Sequence, residues 1–264
     1  LPEVLGPTEV AGRWSDAGDV LVAAGTGDNM AAALGLGLHH GDLALSLGTS
    51  GTAFTVADAP TADPTGAVAG FADATGRFLP LVCTLNATKV TDTIARLLGV
   101  GAAELDRLAL AAEPGAGGLT LVPHLDGERT PNRPHATGTL VGLHSDVDRE
   151  QLARAAFEGV VCNLLAGADR LPECDGRVVL VGGGAHSDAY RRIVADLTGR
   201  PIMVPHADEL VALGAAVQAA VVLTGSTFDD VADAWNLRAG HTIEPDPTVD
   251  AAAIRGRYAE AAGA

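Results

Sequence analysis

Residues Val22–Val56 read VAAGTGDNMAAALGLGLHHGDLALSLGTSGTAFTV, and the order of their parts decides the fold. A short apolar run, Val20 to Ala24, stops at a glycine turn and predicts a strand. Asp28 heads an Ala- and Leu-rich run, Asn29 to His39, which predicts a helix with Asp28 as its cap. Two β-type segments follow, Leu43 to Leu47 and Thr52 to Val56, and the Gly48-Thr49-Ser50-Gly51 turn between them reads as a hairpin. Pro60 to Thr75 is loop-like, and Phe78 to Thr84 supplies a third strand adjacent and antiparallel to the first two.

Outward from this stretch, residues 1–20 read as loop and turn, while downstream helix and strand alternate. Helical spacing predicts a helix over Lys89 to Leu98, and a strand is expected at Leu119 to Pro123. The polar loop DGERTPNRPHATGT spans Asp126 to Thr139, and a helix is expected over Asp148 to Leu165. Val178 to Val181 reads as a buried strand entering Gly182-Gly183-Gly184, followed by a helix over Ser187 to Thr198 capped by Ser187 or Asp188. A strand at Ile202 to Val204 and a small-residue helix at Leu210 to Leu223 complete the pattern. Three antiparallel strands followed by α-β-α-β-α is the order of an RNase H-like or actin-like nucleotide lobe, an α/β fold with a mixed sheet flanked by helices. A doubly wound dinucleotide fold would interpose helices from the beginning.

Composition narrows the function classes. The chain has 264 residues, 47% hydrophobic and 19% charged, which fits an ordered globular protein and argues against disorder. Seventeen basic against 33 acidic residues give a net charge of −16, so a nucleic-acid-binding role, which needs a basic face, is not expected. The three cysteines, Cys83, Cys162 and Cys174, form neither a disulfide framework nor a metal knuckle, and a reducing cytoplasm is the expected compartment. No uncharged apolar run reaches the roughly 18–20 residues of a membrane span, so no membrane association is expected. The chain opens at Leu1 in LPEVLGPTEVAG, which reads as an interior linker of something longer.

The chemistry-bearing residues each carry a plain structural alternative. Asp28 can serve as a helix cap, or accept the proton of a hydroxyl that attacks phosphorus, and the two are compatible. Gly48, Thr49 and Ser50 suit a loop that turns N–H and hydroxyl donors toward an anion, and equally an ordinary hairpin turn. The segment contains no GxxxxGK[ST], which excludes a P-loop, and Ser50 does not complete the GxSxG of a nucleophile elbow, because Thr52 stands where the second glycine is needed. Triple glycine at Gly182–Gly184 exceeds what a βα turn requires and suits close approach of a flat ring or phosphate to the backbone. His39 and His40 have no matching Cys/His/Asp cluster, so no metal ligands are assigned. Glu128 and Arg129 suit either a ligand contact or a structural ion pair. Asp73, Asp126 and Asp146 receive no role.

In this order, AAGTGDNMAAALG, SLGTSGT, DGERTPNRPHATGTLVGL and GGGAHSDAYRRIVADLTGRPI, with ELVALGAAVQAA after it, resemble the C-terminal half of the FGGY carbohydrate kinases, most closely the branch acting on xylulose. The resemblance implies Asp28 as general base, with Gly48, Thr49 and Ser50 near the ATP phosphates and Gly183, Gly184 and Ser187 near adenosine. It also places Asn86, in TLNATK, at the nucleotide pocket. ATP and Mg²⁺ are the implied cofactors, and D-xylulose going to D-xylulose 5-phosphate is the implied reaction. Residues 1–40 resemble the end of a preceding sugar-binding lobe with its hinge, and 41–264 the nucleotide-binding lobe. That preceding lobe is the implied partner, a homodimer is compatible, and this piece alone is expected not to turn over sugar. Another FGGY kinase acting on a different polyol or ketose, or an actin-like module that binds nucleotide without catalysis, stays open at this point.

Overall fold

The computed structural model describes residues 3–263; Leu1, Pro2 and Ala264, at the ends of the expected lobes, lie outside the described residues. A hairpin of β1 (Val10–Trp14) and β2 (Val20–Ala23) opens the chain and leads into α1 (Asp28–Gly35). Next come β3 (Leu43–Leu47), β4 (Gly51–Thr55), β5 (Ala69–Ala72) and β6 (Phe78–Thr84), then α2 (Thr88–Leu98) and α3 (Ala102–Ala111). A small pair, β7 (Thr120–Val122) and β8 (Thr139–Val141), brackets the polar loop. The remainder runs α4 (Arg149–Ala168), β9 (Val178–Val181), α5 (Asp188–Thr198), β10 (Ile202–Pro205), α6 (Leu210–Thr224), α7 (Phe228–Ala234), β11 (Gly240–Ile243) and α8 (Ala251–Ala262).

One sheet of seven strands, ordered β11-β10-β9-β3-β4-β6-β5, organises the molecule. β3, β9 and β10 are parallel neighbours, and β4, β6, β5 and β11 run antiparallel at the two sides, so the expected mixed sheet is present. The period of two along each central strand sends alternate side chains to two separate cores. Leu43, Leu45, Leu47, Val178 and Leu180 join the core beneath α2, α3, α4 and α5. Ala44, Phe54, Val179, Val181 and Met203 join the core beneath α1, α6 and α7. Burial on both faces explains why LALSL and VVLV are almost continuously apolar.

Several expectations are corrected. Residues 1–20 are not all loop, since β1 pairs with β2, and β5 lies within the supposed loop of 60–75. Both are mostly exposed strands without an alternating apolar signal. β7 pairs with β8 outside the main sheet. Gly27, not Asp28, caps α1: Asp28 already has helical backbone, and its Oδ1 accepts the N–H of Asn29 at 2.7 Å. The helix also ends at Gly35 rather than His39, because Gly37 at φ +54° terminates it while Leu38 N–H returns to Ala33 O. Helix α3 and the elements from α7 to α8 were not legible at all.

Candidate functional site

The site is built where β3 and β9 end side by side. Because these strands are parallel neighbours, with Ser46 opposite Val181, the turns that follow them emerge at one edge of the sheet. In the first turn, Gly48 O accepts the N–H of Thr88 at 2.9 Å and Thr49 O that of Ala87 at 3.1 Å. Both carbonyls are thereby consumed by the start of α2, and the N–H groups of Thr49 and Ser50 have no protein acceptor among the described residues. Unpaired N–H groups on a glycine-flanked turn form an anion-binding surface.

The second turn is the triple glycine, and its members differ. Gly182 takes φ +85°, and a Cβ there would stand 2.8 Å from Leu47 O. At Gly184 a Cβ would lie 2.6 Å from Leu47 Cβ. Leu47 therefore accounts for two of the three glycines by packing alone. Gly183 is different: a Cβ there would meet nothing within 4 Å, so its backbone lies bare. Ser187 then caps α5, its Oγ accepting the N–H of Tyr190 at 3.1 Å and donating to Asp106 Oδ1 at 2.9 Å.

Gly48, Thr49, Gly183, Gly184 and Ser187 line one cleft of about 430 Å³. Five of the residues singled out in the sequence thus converge. Its other walls come from Thr88, Thr91 and Asp92 of α2, from Leu105 and Asp106 of α3, and from Phe157 and Tyr190. The two aromatic rings meet edge to face, 4.5 Å between centroids, and the Tyr190 hydroxyl lies 3.2 Å from Thr91 Oγ1. Sequence reading missed the α2 and α3 contributions. The one available signal for the α2 wall is the helix start directly after TLNA, and α3 begins after Gly101 without a side-chain cap to mark it.

Three of the singled-out residues lie elsewhere. Ser50 is exposed at the tip of the turn and does not line the cleft. Asn86 is fully buried; its Nδ2 donates to Gly127 O at 2.7 Å and to Glu128 Oε2 at 2.9 Å, so its side chain faces away from the cleft and into the protein. Its amide complements a buried carboxylate, a pairing invisible in a local pattern. Asp28 is exposed at the start of α1, which belongs to the helix layer on the sheet face opposite α2 to α5. Its bonded partners are the N–H and side-chain amide of Asn29, and it forms no ion pair among the described residues. Glu128 makes no ion pair with Arg129: the carboxylate takes that residue's backbone N–H instead. Among the described residues no group of three or more His, Cys, Asp or Glu is placed to hold a metal ion, and no single helix is long and apolar enough to cross a membrane.

Comparison with known proteins agrees with this architecture. The description "FGGY family of carbohydrate kinases, C-terminal domain" matches residues 43–223. A xylulose kinase of Streptomyces coelicolor is 51% identical over 254 residues, covering 92% of this chain and 51% of the relative. A xylulose kinase of Streptomyces rubiginosus is 50% identical over the same length. The crystal structure of xylulose kinase from Bifidobacterium adolescentis superposes with a TM-score of 0.85 at 42% identity, covering 100% of this chain and 53% of that one. The chain thus spans about half the length of the relatives it matches.

Proposed function

We propose that this chain, which belongs to the FGGY family of carbohydrate kinases, forms the nucleotide-binding half of an ATP-dependent ketose kinase with D-xylulose as substrate and D-xylulose 5-phosphate as product. The observation that carries the reading is the convergence of the Gly48–Thr49 turn and the Gly183–Ser187 corner on one cleft. In this reading adenosine lies against the bare backbone of Gly183, beside Gly184 and Ser187, between walls that include Leu105 and Phe157. The unpaired N–H groups of Thr49 and Ser50 receive phosphate oxygens. The Gly48–Gly51 turn stands at the edge between the two helix layers, so the polyphosphate runs across it toward the layer that holds α1.

Asp28 is the group assigned to the reacting alcohol. Its carboxylate is exposed and engages only its neighbour Asn29, which leaves an acceptor for a substrate hydroxyl. An ordinary carboxylate is a weak base for a free alcohol, with a reference pKa of about 3.9. It suffices here because the hydroxyl becomes acidic as its oxygen bonds to phosphorus. Mg²⁺, when bound, neutralises charge on the transferring phosphoryl group. With no cluster of three ligands among the described residues, it fits as an ion carried mainly by the nucleotide phosphates. The three free thiols accord with a reducing cytoplasmic setting.

Residues 1–40 are assigned to the end of a preceding sugar-binding lobe and its hinge, and 41–264 to the nucleotide lobe. Trp14 and Val20 face each other across the first hairpin and, with Val22, leave an exposed apolar face that such a lobe would cover. Closure of two lobes excludes water from phosphoryl transfer, so this half alone is expected to bind nucleotide without turning over sugar. Calorimetric titration with ATP tests the nucleotide site, and absence of saturable binding removes it. In the two-lobed enzyme, Asp28→Asn should abolish most xylulose-dependent ADP release while leaving ATP affinity nearly intact. Product analysis across ketoses and polyols then identifies the sugar.

A further inference from the structure

The polar loop after β7 carries a carboxylate that the proposed reaction leaves unused. Glu128 is 1% exposed. Its Oε1 accepts the N–H of Leu85 at 2.5 Å and that of Arg129 at 2.8 Å, and its Oε2 accepts the side-chain amides of Asn86 and Asn163, each at 2.9 Å. No arginine or lysine side chain pairs with it among the described residues; nearby Lys89 reaches Asp126 instead, at 3.1 Å. A charge withdrawn from water without a counter-ion is tolerated only when its lone pairs are filled, and four N–H donors fill them.

The donors are themselves held in place. Asn163 on α4 keeps its amide turned to Glu128 because its oxygen accepts the Tyr258 hydroxyl at 2.9 Å and lies 3.2 Å from His124 Nε2. Asn86 spends its amide on Gly127 O and Glu128, which leaves its own oxygen buried without a partner. An orphaned buried acceptor is unfavourable, so the orientation of Asn86 is set by Glu128 rather than by the surroundings of its own oxygen. The gripped segment, Leu85–Asn86, runs directly into Ala87 and Thr88, whose N–H groups hold Thr49 O and Gly48 O.

We propose that Glu128 is a positioning residue for the Gly48–Gly51 turn: it fixes the segment 85–88, and through it presents the N–H groups of Thr49 and Ser50 outward to the nucleotide phosphates. Glu128 touches no ligand. The proposal rests on the phosphate reading of that turn, and it applies to triphosphate recognition and not to adenosine.

Glu128→Gln replaces an acceptor by a donor that faces the amides of Asn86 and Asn163. Amide hydrogen exchange on this chain should then show Ala87 and Thr88 opening at least tenfold faster, with the central β9 amides unchanged. Calorimetry should show ATP affinity falling about tenfold while adenosine affinity holds. Asn86→Ala, which keeps the carboxylate and its bond to Leu85, should move both readouts in the same direction by less, and it carries the test if Glu128→Gln does not fold. Unchanged exchange at Ala87 and Thr88 in the folded variants overturns the proposal. Parallel loss of ATP and adenosine affinity overturns it too, because a merely structural role predicts that outcome. If the parent chain binds neither ligand, the nucleotide reading falls, and exchange at Ala87 and Thr88 still decides whether Glu128 positions the turn.

Discussion

The hydroxyl of Ser187 donates to Asp106 Oδ1 at 2.9 Å while accepting the N–H of Tyr190 at 3.1 Å, so a single oxygen joins α3 to the N-terminus of α5 at the rim of the cleft. Burial pushes the Asp106 carboxyl above its ordinary value, against hydrogen bonds from Ser187 and the Ala189 and Asp188 backbone that pull it down. A carboxyl raised in the folded state supports stability fully below its unfolded value of about 3.9, and that support is lost as pH rises through the folded value. Asp106→Asn retains an acceptor for Ser187 and has no charge to desolvate. Its stability relative to the parent should therefore rise between about pH 4 and neutrality and level off at either side. Denaturant midpoints across that range check the trend, and a pH-independent difference would contradict it.

The glycine corner separates packing from binding. Gly184→Ala forces a Cβ against Leu47 and should cost about 1–3 kcal/mol of stability. Gly183→Ala meets no neighbour, so stability should stay within about 0.5 kcal/mol of the parent. The same methyl intrudes where the ring is proposed to lie and should weaken ATP binding. Thermal melts paired with calorimetry distinguish the two positions. Equal destabilisation by both substitutions would mean that Gly183 is as closely packed as its neighbours.

At the opposite edge of the sheet, Asp42 accepts Arg177 Nε at 3.0 Å and Nη2 at 2.5 Å, together with the N–H groups of Arg177 and His39. Burial alone would raise this carboxyl, but the Arg177 bonds, the backbone donors and the Arg177 charge together hold it below its ordinary value. A lowered carboxyl contributes stability above its unfolded value and loses it as pH falls through the folded value. Asp42→Asn should cost about 2 kcal/mol at neutral pH, a cost that shrinks on acidification below about pH 4. Chemical denaturation at neutral and acidic pH measures both halves of this statement.

Helices α1 and α6 approach most closely at Gly35 and Gly214. A Cβ on either would collide with the carbonyl of Leu210 or Ala31 respectively. Gly214→Ala should therefore destabilise by about 3 kcal/mol and displace α1, which carries Asp28. Urea unfolding should register the loss. A neutral result would show that the two helices can part without cost.

Much of the frame was legible because it is written in local periodicity. The strand limits Leu43–Leu47, Phe78–Thr84 and Val178–Val181 agree with runs of β-branched and apolar residues closed by Gly or Thr. Capping of α5 by Ser187 follows from a hydroxyl at the right place before a helical run. The exposed strands β1, β5 and β11 gave no legible signal, because little apolar area on them is buried in a regular pattern.

The site divides in the same way. From the sequence alone came the identity and order of the turns at Gly48–Ser50 and Gly183–Ser187, because glycine, hydroxyl and cap residues declare their backbone preferences locally. Only the tertiary structure decided that these turns meet across Leu47, that Asp106 and Thr91 complete the cleft between them, and that Asn86 turns inward to a buried Glu128. Those relations join strands and helices far apart in the chain. They follow from sheet order and from the need of buried polar groups to find partners, and no local pattern of residues encodes which partner is found.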